Sequence, residues 1–169
     1  MLERKSALAS VAPCKSDLLQ LSEARGFSLT LASGISSVPG APPLRMGYAE
    51  THAGRLLMRV GPKQIWIIGP EHVDPAAELR GQCVLTPLSH SRTRIALEGP
   101  PARTVLAKGI ALDFHPTAFT PGMFAQTGLR HTPVLVHCVS EDRFEIYALR
   151  TFALTVWEWL TDAALEFAG

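Results

Sequence analysis

A chain of 169 residues that is 47 % hydrophobic and 18 % charged can bury a core without disulfides or a structural metal. Its formal net charge of +1 provides no basic field for nucleic acid, and no run of one sign steers it to a membrane surface. Its charge fraction lies below the roughly one quarter usual for soluble domains, which points to apolar surface covered by a partner.

Residues 1–16 mix charge with small side chains, show no firm period and read as an N-terminal arm. The start, Met1-Leu2-Glu3-Arg4-Lys5-Ser6, has no long apolar stretch behind it, which argues against a secretory leader. Phe27 to Leu31 alternates apolar and polar residues, the pattern of a half-buried strand. Residues 34–47, rich in Gly, Pro and Ser, have the composition of a long mobile loop. Arg55–Val60 and Gln64–Ile68 are strands joined by the turn Gly61-Pro62-Lys63. Asp74-Pro75 then opens a short helix that stops near Gly81.

Cys83–Leu85 and Arg92–Leu97 are further strands. Gly99-Pro100-Pro101 leads into a helix from Ala102 to Lys108, which Gly109 ends. Phe124–Leu129 and Val134–Val139 flank Arg130-His131-Thr132-Pro133 as a hairpin, and Phe144–Leu149 adds a third strand. From about Thr151 to Phe167 the spacing predicts the strongest helix, with Phe152, Val156, Leu160, Ala163 and Phe167 on one stripe. Trp157 and Ala164 widen that stripe and Trp159 lies off its centre. Strands in adjacent pairs with helices closing each half predict an α+β fold, antiparallel sheets with helices packed on one face. The expected organisation is a single domain, 1–169, in two small halves near 17–81 and 82–169.

The chemistry-bearing motifs are few. No GxGxxG follows a strand and no GxxxxGK[ST] occurs, so a standard dinucleotide or phosphate loop is not expected. The six histidines form no HExxH, and His137 and Cys138 point to opposite faces of their strand, so no metal is expected. Cys14, Cys83 and Cys138 make no CxxC and no disulfide framework, which fits a reducing compartment and a cytoplasmic location. Cys138 reads as an inert buried thiol. Ser89 and His90 are adjacent, but strand neighbours diverge and cannot form a nucleophile–base pair. Asp113-Phe114-His115-Pro116 is either a carboxylate–imidazole pair or a turn held by the Asp side chain, and turn chemistry explains every residue there. Trp157 and Trp159 bracket Glu158, and one of the two is either an interface anchor or packed under a loop.

Several stretches together resemble the gamma subunit of heterotetrameric sarcosine oxidase. They are Leu88–Thr93, the run Leu97–Gly109, Leu112–Pro116, Phe119, Pro121-Gly122, Ala125–Thr127, Arg150–Ala153 and Trp157–Leu160. Leu2–Leu8 and the hairpin from Arg59 to Pro70 agree as well. The run from Gly99 through Thr127 is the specific part; the helix after Pro70 is shorter than the family usually has. The resemblance implies a fold related to the folate-binding domain of the glycine-cleavage T-protein, that is, an aminomethyltransferase-like domain. It implies a non-catalytic subunit of a complex that oxidatively demethylates sarcosine, or a related N-methyl amino acid, to glycine. The one-carbon unit would leave as formaldehyde or methylene-tetrahydrofolate, with hydrogen peroxide as the other product. FAD, FMN, NAD and tetrahydrofolate would sit in larger alpha and beta subunits, accompanied by a small delta subunit, and this chain would assemble on the folate-type domain of alpha. No catalytic, cofactor-binding or metal-binding residue carries over to this chain; Trp157, Trp159, His115 and Arg150 are the candidate contacts with a partner. The alternative is a stand-alone folate-binding protein of the same fold, in one-carbon or repair chemistry, for which Asp113 and Glu145 are the candidate carboxylates. An independent hydrolase or transferase would have only Ser89 and His90 to draw on.

Overall fold

A computed structural model describes residues 5–167 and divides the chain into two compact units. The first runs through Ala24, takes Ser91–Pro121, and continues from Ala125; the second is Arg25–His90 with Gly122–Phe124.

In the first unit a six-stranded sheet has the order β1-β2-β8-β11-β10-β9. Its strands are β1 (Cys14–Lys15), β2 (Gln20–Glu23), β8 (Arg92–Glu98), β9 (Phe124–Leu129), β10 (Thr132–Ser140) and β11 (Arg143–Leu149). β11 lies at the centre, antiparallel to both β8 and β10. Alternate residues of a strand share a face. One face of these strands therefore carries Ile95, Leu97, Val134, Val136, Cys138, Phe144, Ile146 and Ala148, all buried. Helix α1 (Ala102–Ala107) buries Val105 and Leu106. It packs against α2 (Ala153–Ala164), which also lies on β11.

Each end of α2 is a single 3-10 turn, Arg150–Phe152 and Leu165–Phe167. The expected stripe is real at Val156, Leu160 and Ala163, with Trp157 and Ala164 widening it. Phe152, outside the α-helical span, is 43 % exposed instead. Helix α1 stops at Ala107, just short of Gly109, which was expected to end it. The Gly109 backbone is not left-handed. A Cβ there would lie 2.4 Å from the Trp159 ring, so the position needs the absence of a side chain.

The second unit is a five-stranded sheet, β4-β5-β6-β3-β7. Its strands are β3 (Phe27–Ser33), β4 (Ala49–His52), β5 (Arg55–Gly61), β6 (Gln64–Pro70) and β7 (Val84–Pro87). β5 and β6 form the expected hairpin, with a bulge between Arg59 and Gly61 and Lys63 in the left-handed region at φ 53°. Leu57, Ile65, Ile67 and Ala32 form one buried cluster.

Four expectations need correction. The 34–47 segment does form a loop, but Val38 and Leu44 enter that same buried cluster and anchor it, so its composition misled about mobility. The helix after Asp74-Pro75 shrinks to one 3-10 turn, Ala77–Leu79. Asp74 accepts the Ala76 N–H at 3.0 Å, but Arg80 turns extended and Gly81 sits at φ 79°, leaving too few residues to nucleate an α-helix. The N-terminal arm is tied down from Lys5 onward: Leu8 is buried, Ser6 bonds to Glu23, and β1 pairs with β2; residues 1–4 lie outside the described residues. The halves 17–81 and 82–169 do not match the observed units, because β2 pairs with β8 while β7 pairs with β3. Strand exchange of that kind leaves no trace in local sequence.

Candidate functional site

The face of β11 opposite its apolar one carries Arg143, Glu145 and Tyr147. Register places His137 of β10 opposite Glu145, and Arg94 of β8 opposite Tyr147. The Tyr147 hydroxyl donates to Glu145 Oε2 at 2.9 Å. Arg94 Nη1 lies 3.5 Å from the same oxygen, and Arg143 Nη2 lies 3.9 Å from Oε1. Arg94 Nε also donates to the Ala24 carbonyl at 3.3 Å. Glu145, Tyr147 and His137 are all buried, with His137 only 5 % exposed.

Burial dominates the electrostatics here. It pushes the Tyr147 phenol well above its ordinary value, and the neighbouring Glu145 charge pushes the same way against Arg94. The phenol therefore stays a hydrogen-bond donor. Burial lowers the His137 pKa; Glu145 opposes that shift and Arg94 adds to it. Burial thus favours the neutral imidazole of His137 and the protonated phenol of Tyr147. His137 Nδ1 and Arg143 Nε are buried and have no hydrogen-bond partner among the described residues.

The sequence had singled out Glu145 from this group but not Arg94 or Tyr147 beside it. The alternation of Phe144–Leu149 already put Glu145 and Tyr147 on one face; only the strand register brings in Arg94 and His137. His137 and Cys138 do face opposite ways, as expected. Among the described residues no three His, Cys, Asp or Glu side chains converge as a metal site.

The other candidates separate. Asp113 Oδ1 accepts the backbone N–H of His115 at 2.8 Å, and His115 Nδ1 lies 2.8 Å from Thr117 Oγ1. The segment is the turn, and the carboxylate–imidazole pair does not form. Ser89 Oγ accepts the Leu29 N–H at 2.9 Å, stitching β3 to the end of β7, while His90 is exposed. Cys138 is fully buried, and burial raises its pKa against the opposing pull of the Arg103 guanidinium 3.7 Å away.

Of the four candidate contact residues, Trp157 is withdrawn. It is 5 % exposed, because one step round from Val156 keeps it on the buried side of α2. Trp159 is partly buried: its ring rests on Gly109, with the Arg130 guanidinium 5.9 Å from its centre. His115 and Arg150 are exposed, and Arg150 donates to the Lys5 carbonyl. Among the described residues, no hydrogen bond or ring contact joins any two of these four.

The model of the sarcosine oxidase gamma subunit family matches residues 76–166. The gamma subunit of sarcosine oxidase from Corynebacterium sp. (strain P-1) is 30 % identical over 164 residues, covering 86 % of this chain and 81 % of that one. That from an Arthrobacter species is 30 % identical over 166 residues, with the same coverage. The chain belongs to the sarcosine oxidase gamma subunit family. Membership makes it a subunit of an oxidase.

Solved structures agree on the fold. A chain of the heterotetrameric sarcosine oxidase from Corynebacterium sp. U-96, in complex with pyrrole 2-carboxylate, superposes with a TM-score of 0.87 at 24 % identity, covering 98 % of this chain and 97 % of that one. Aminomethyltransferase T of the glycine cleavage system from Bartonella henselae superposes with a TM-score of 0.61 at 20 % identity, over 85 % of this chain and 45 % of that one. The gamma-family chain thus has the α+β, aminomethyltransferase-like architecture that its sequence suggested. No helix among its described residues is long and apolar enough to cross a membrane.

Proposed function

We propose that this gamma-family chain is a non-catalytic assembly subunit of a heterotetrameric complex. The complex oxidatively demethylates sarcosine, or a related N-methyl amino acid, to glycine, with hydrogen peroxide and formaldehyde or methylene-tetrahydrofolate as products. FAD, FMN, NAD and tetrahydrofolate belong to larger alpha and beta subunits, a small delta subunit completes the assembly, and this chain packs on the folate-type domain of alpha. The observation that carries the reading is the family match, together with a solved heterotetramer whose chain covers nearly all of this one. The site geometry supports the non-catalytic part: Glu145 Oε2 accepts from the Tyr147 hydroxyl and pairs with Arg94 inside the sheet. Sarcosine-dependent peroxide production, measured on the partner subunits with and without this chain, tests it. The account expects no turnover from the chain alone and a stable active complex only when it is present. Turnover by the isolated chain would overturn it.

A stand-alone folate-binding role is favoured by the aminomethyltransferase-like fold alone. Its two candidate carboxylates are engaged elsewhere, Asp113 with a backbone N–H and Glu145 with Tyr147 and Arg94. Calorimetric titration with tetrahydrofolate decides it; no heat at millimolar ligand ends that reading.

A further inference from the structure

The outer face of α2 carries a pattern that its own chain does not explain. At 100° per residue, Leu154, Glu158, Thr161, Asp162 and Leu165 fall within about 100° of one another, opposite the buried stripe. Leu154 is 43 % exposed and Leu165 61 %. Glu158 and Asp162 are exposed, and neither carboxylate has an ion pair among the described residues.

Three features of this face work against a helix in water. Glu158 and Asp162 are a like-charge pair at i, i+4, which destabilises a helix. Asp162 lies in the last turn, where the helix dipole disfavours an anion, and no basic residue offsets it there. Two exposed leucines flank the acids. Residues 151–167 hold no Lys or Arg, and Lys108, which reaches the end of the helix, is already bonded to Glu166 and the Ala163 carbonyl. A cation supplied from outside offsets the first two features, and apolar contact offsets the third.

We propose that this face of α2 docks on the alpha subunit of the complex. The matching surface carries apolar side chains against Leu154 and Leu165, and Arg or Lys against Glu158 and Asp162. The inference rests on the subunit reading above. An acidic centre between apolar ends also fixes orientation, because like charge across an interface is strongly disfavoured.

The test uses the co-expressed complex with a tag on the alpha subunit. Retention of this chain is measured for the wild type, for E158K/D162K, for Leu154→Asp, and for a control reversal, E50K/E71K, in the second unit. Circular dichroism of each purified chain checks that it is folded. The proposal expects wild-type retention to weaken as salt rises from about 0.1 M to about 0.5 M, through screening of the charge contacts. It expects E158K/D162K and folded Leu154→Asp to bind at least about tenfold more weakly, with the control unchanged. Wild-type-like retention of folded E158K/D162K overturns the docking face while leaving the subunit reading intact. So does an equal loss in the control. Failure of the wild type to be retained overturns both. A purified chain that dimerises alone, and becomes monomeric on charge reversal, assigns the face to a second copy and also overturns the proposal.

Discussion

Two surfaces of the first unit make opposite use of charge. On the inner polar face of β11, Glu145 is buried and has a phenol and a guanidinium as partners. On the outer face of α2, Glu158 and Asp162 are exposed and have no ion pair among the described residues. The first arrangement stabilises the fold and leaves little for a ligand or a reaction. The second adds nothing to the fold and leaves its charges and leucines available. In a family of subunits, that contrast separates groups that maintain the protein from groups free to contact another one.

Substitutions can break the contrast, and the largest effect belongs inside. Glu145→Ala strips the carboxylate from Tyr147 and the largely buried Arg94, and should cost about 3 kcal/mol in urea unfolding, the lower end for a buried ion pair because Arg94 retains some solvent. An unchanged midpoint would show that the inner cluster is not structural. Leu8→Ala should cost about 2–3 kcal/mol, since Leu8 is buried although its segment reads as an arm. Gly109→Val should cost about 1–3 kcal/mol and alter tryptophan fluorescence, because its side chain would displace the Trp159 ring. Leu154→Ser, on the outer face, should leave the unfolding midpoint of the isolated chain within about 0.5 kcal/mol.

Acid sharpens the same comparison. The folded-state pKa of His137 lies below its unfolded value of about 6.5, so the unfolded chain binds the proton more readily. The stability this group contributes is full above about pH 6.5 and is lost as pH falls from there toward the folded value. Urea midpoints across pH 5.5–7.5 should show that decline, and His137→Gln should flatten it. An equal slope in the variant would place the acid sensitivity elsewhere.

Local pattern exposed much of the fold. Alternation marked β3 and β11, the turn at Gly61-Pro62-Lys63 marked the hairpin of β5 and β6, and helical spacing marked α2. Less was legible where tertiary contacts decide. β2 has only four residues and is held by pairing with β8, and Val38 and Leu44 lie buried inside a Gly- and Pro-rich run. The inner polar cluster needed register across three strands, which no single segment encodes. Trp157 and Trp159 show the limit on the surface: spacing indicated that the two differ, and the structure buries Trp157 and seats Trp159 on Gly109.

The most direct test of the central claim is size-exclusion chromatography of the chain co-expressed with the larger subunits, with flavin absorbance followed alongside protein. The account predicts that this chain elutes in stoichiometric amount with the flavin-bearing peak. Elution at its own 18.3 kDa, separate from that peak, would contradict it.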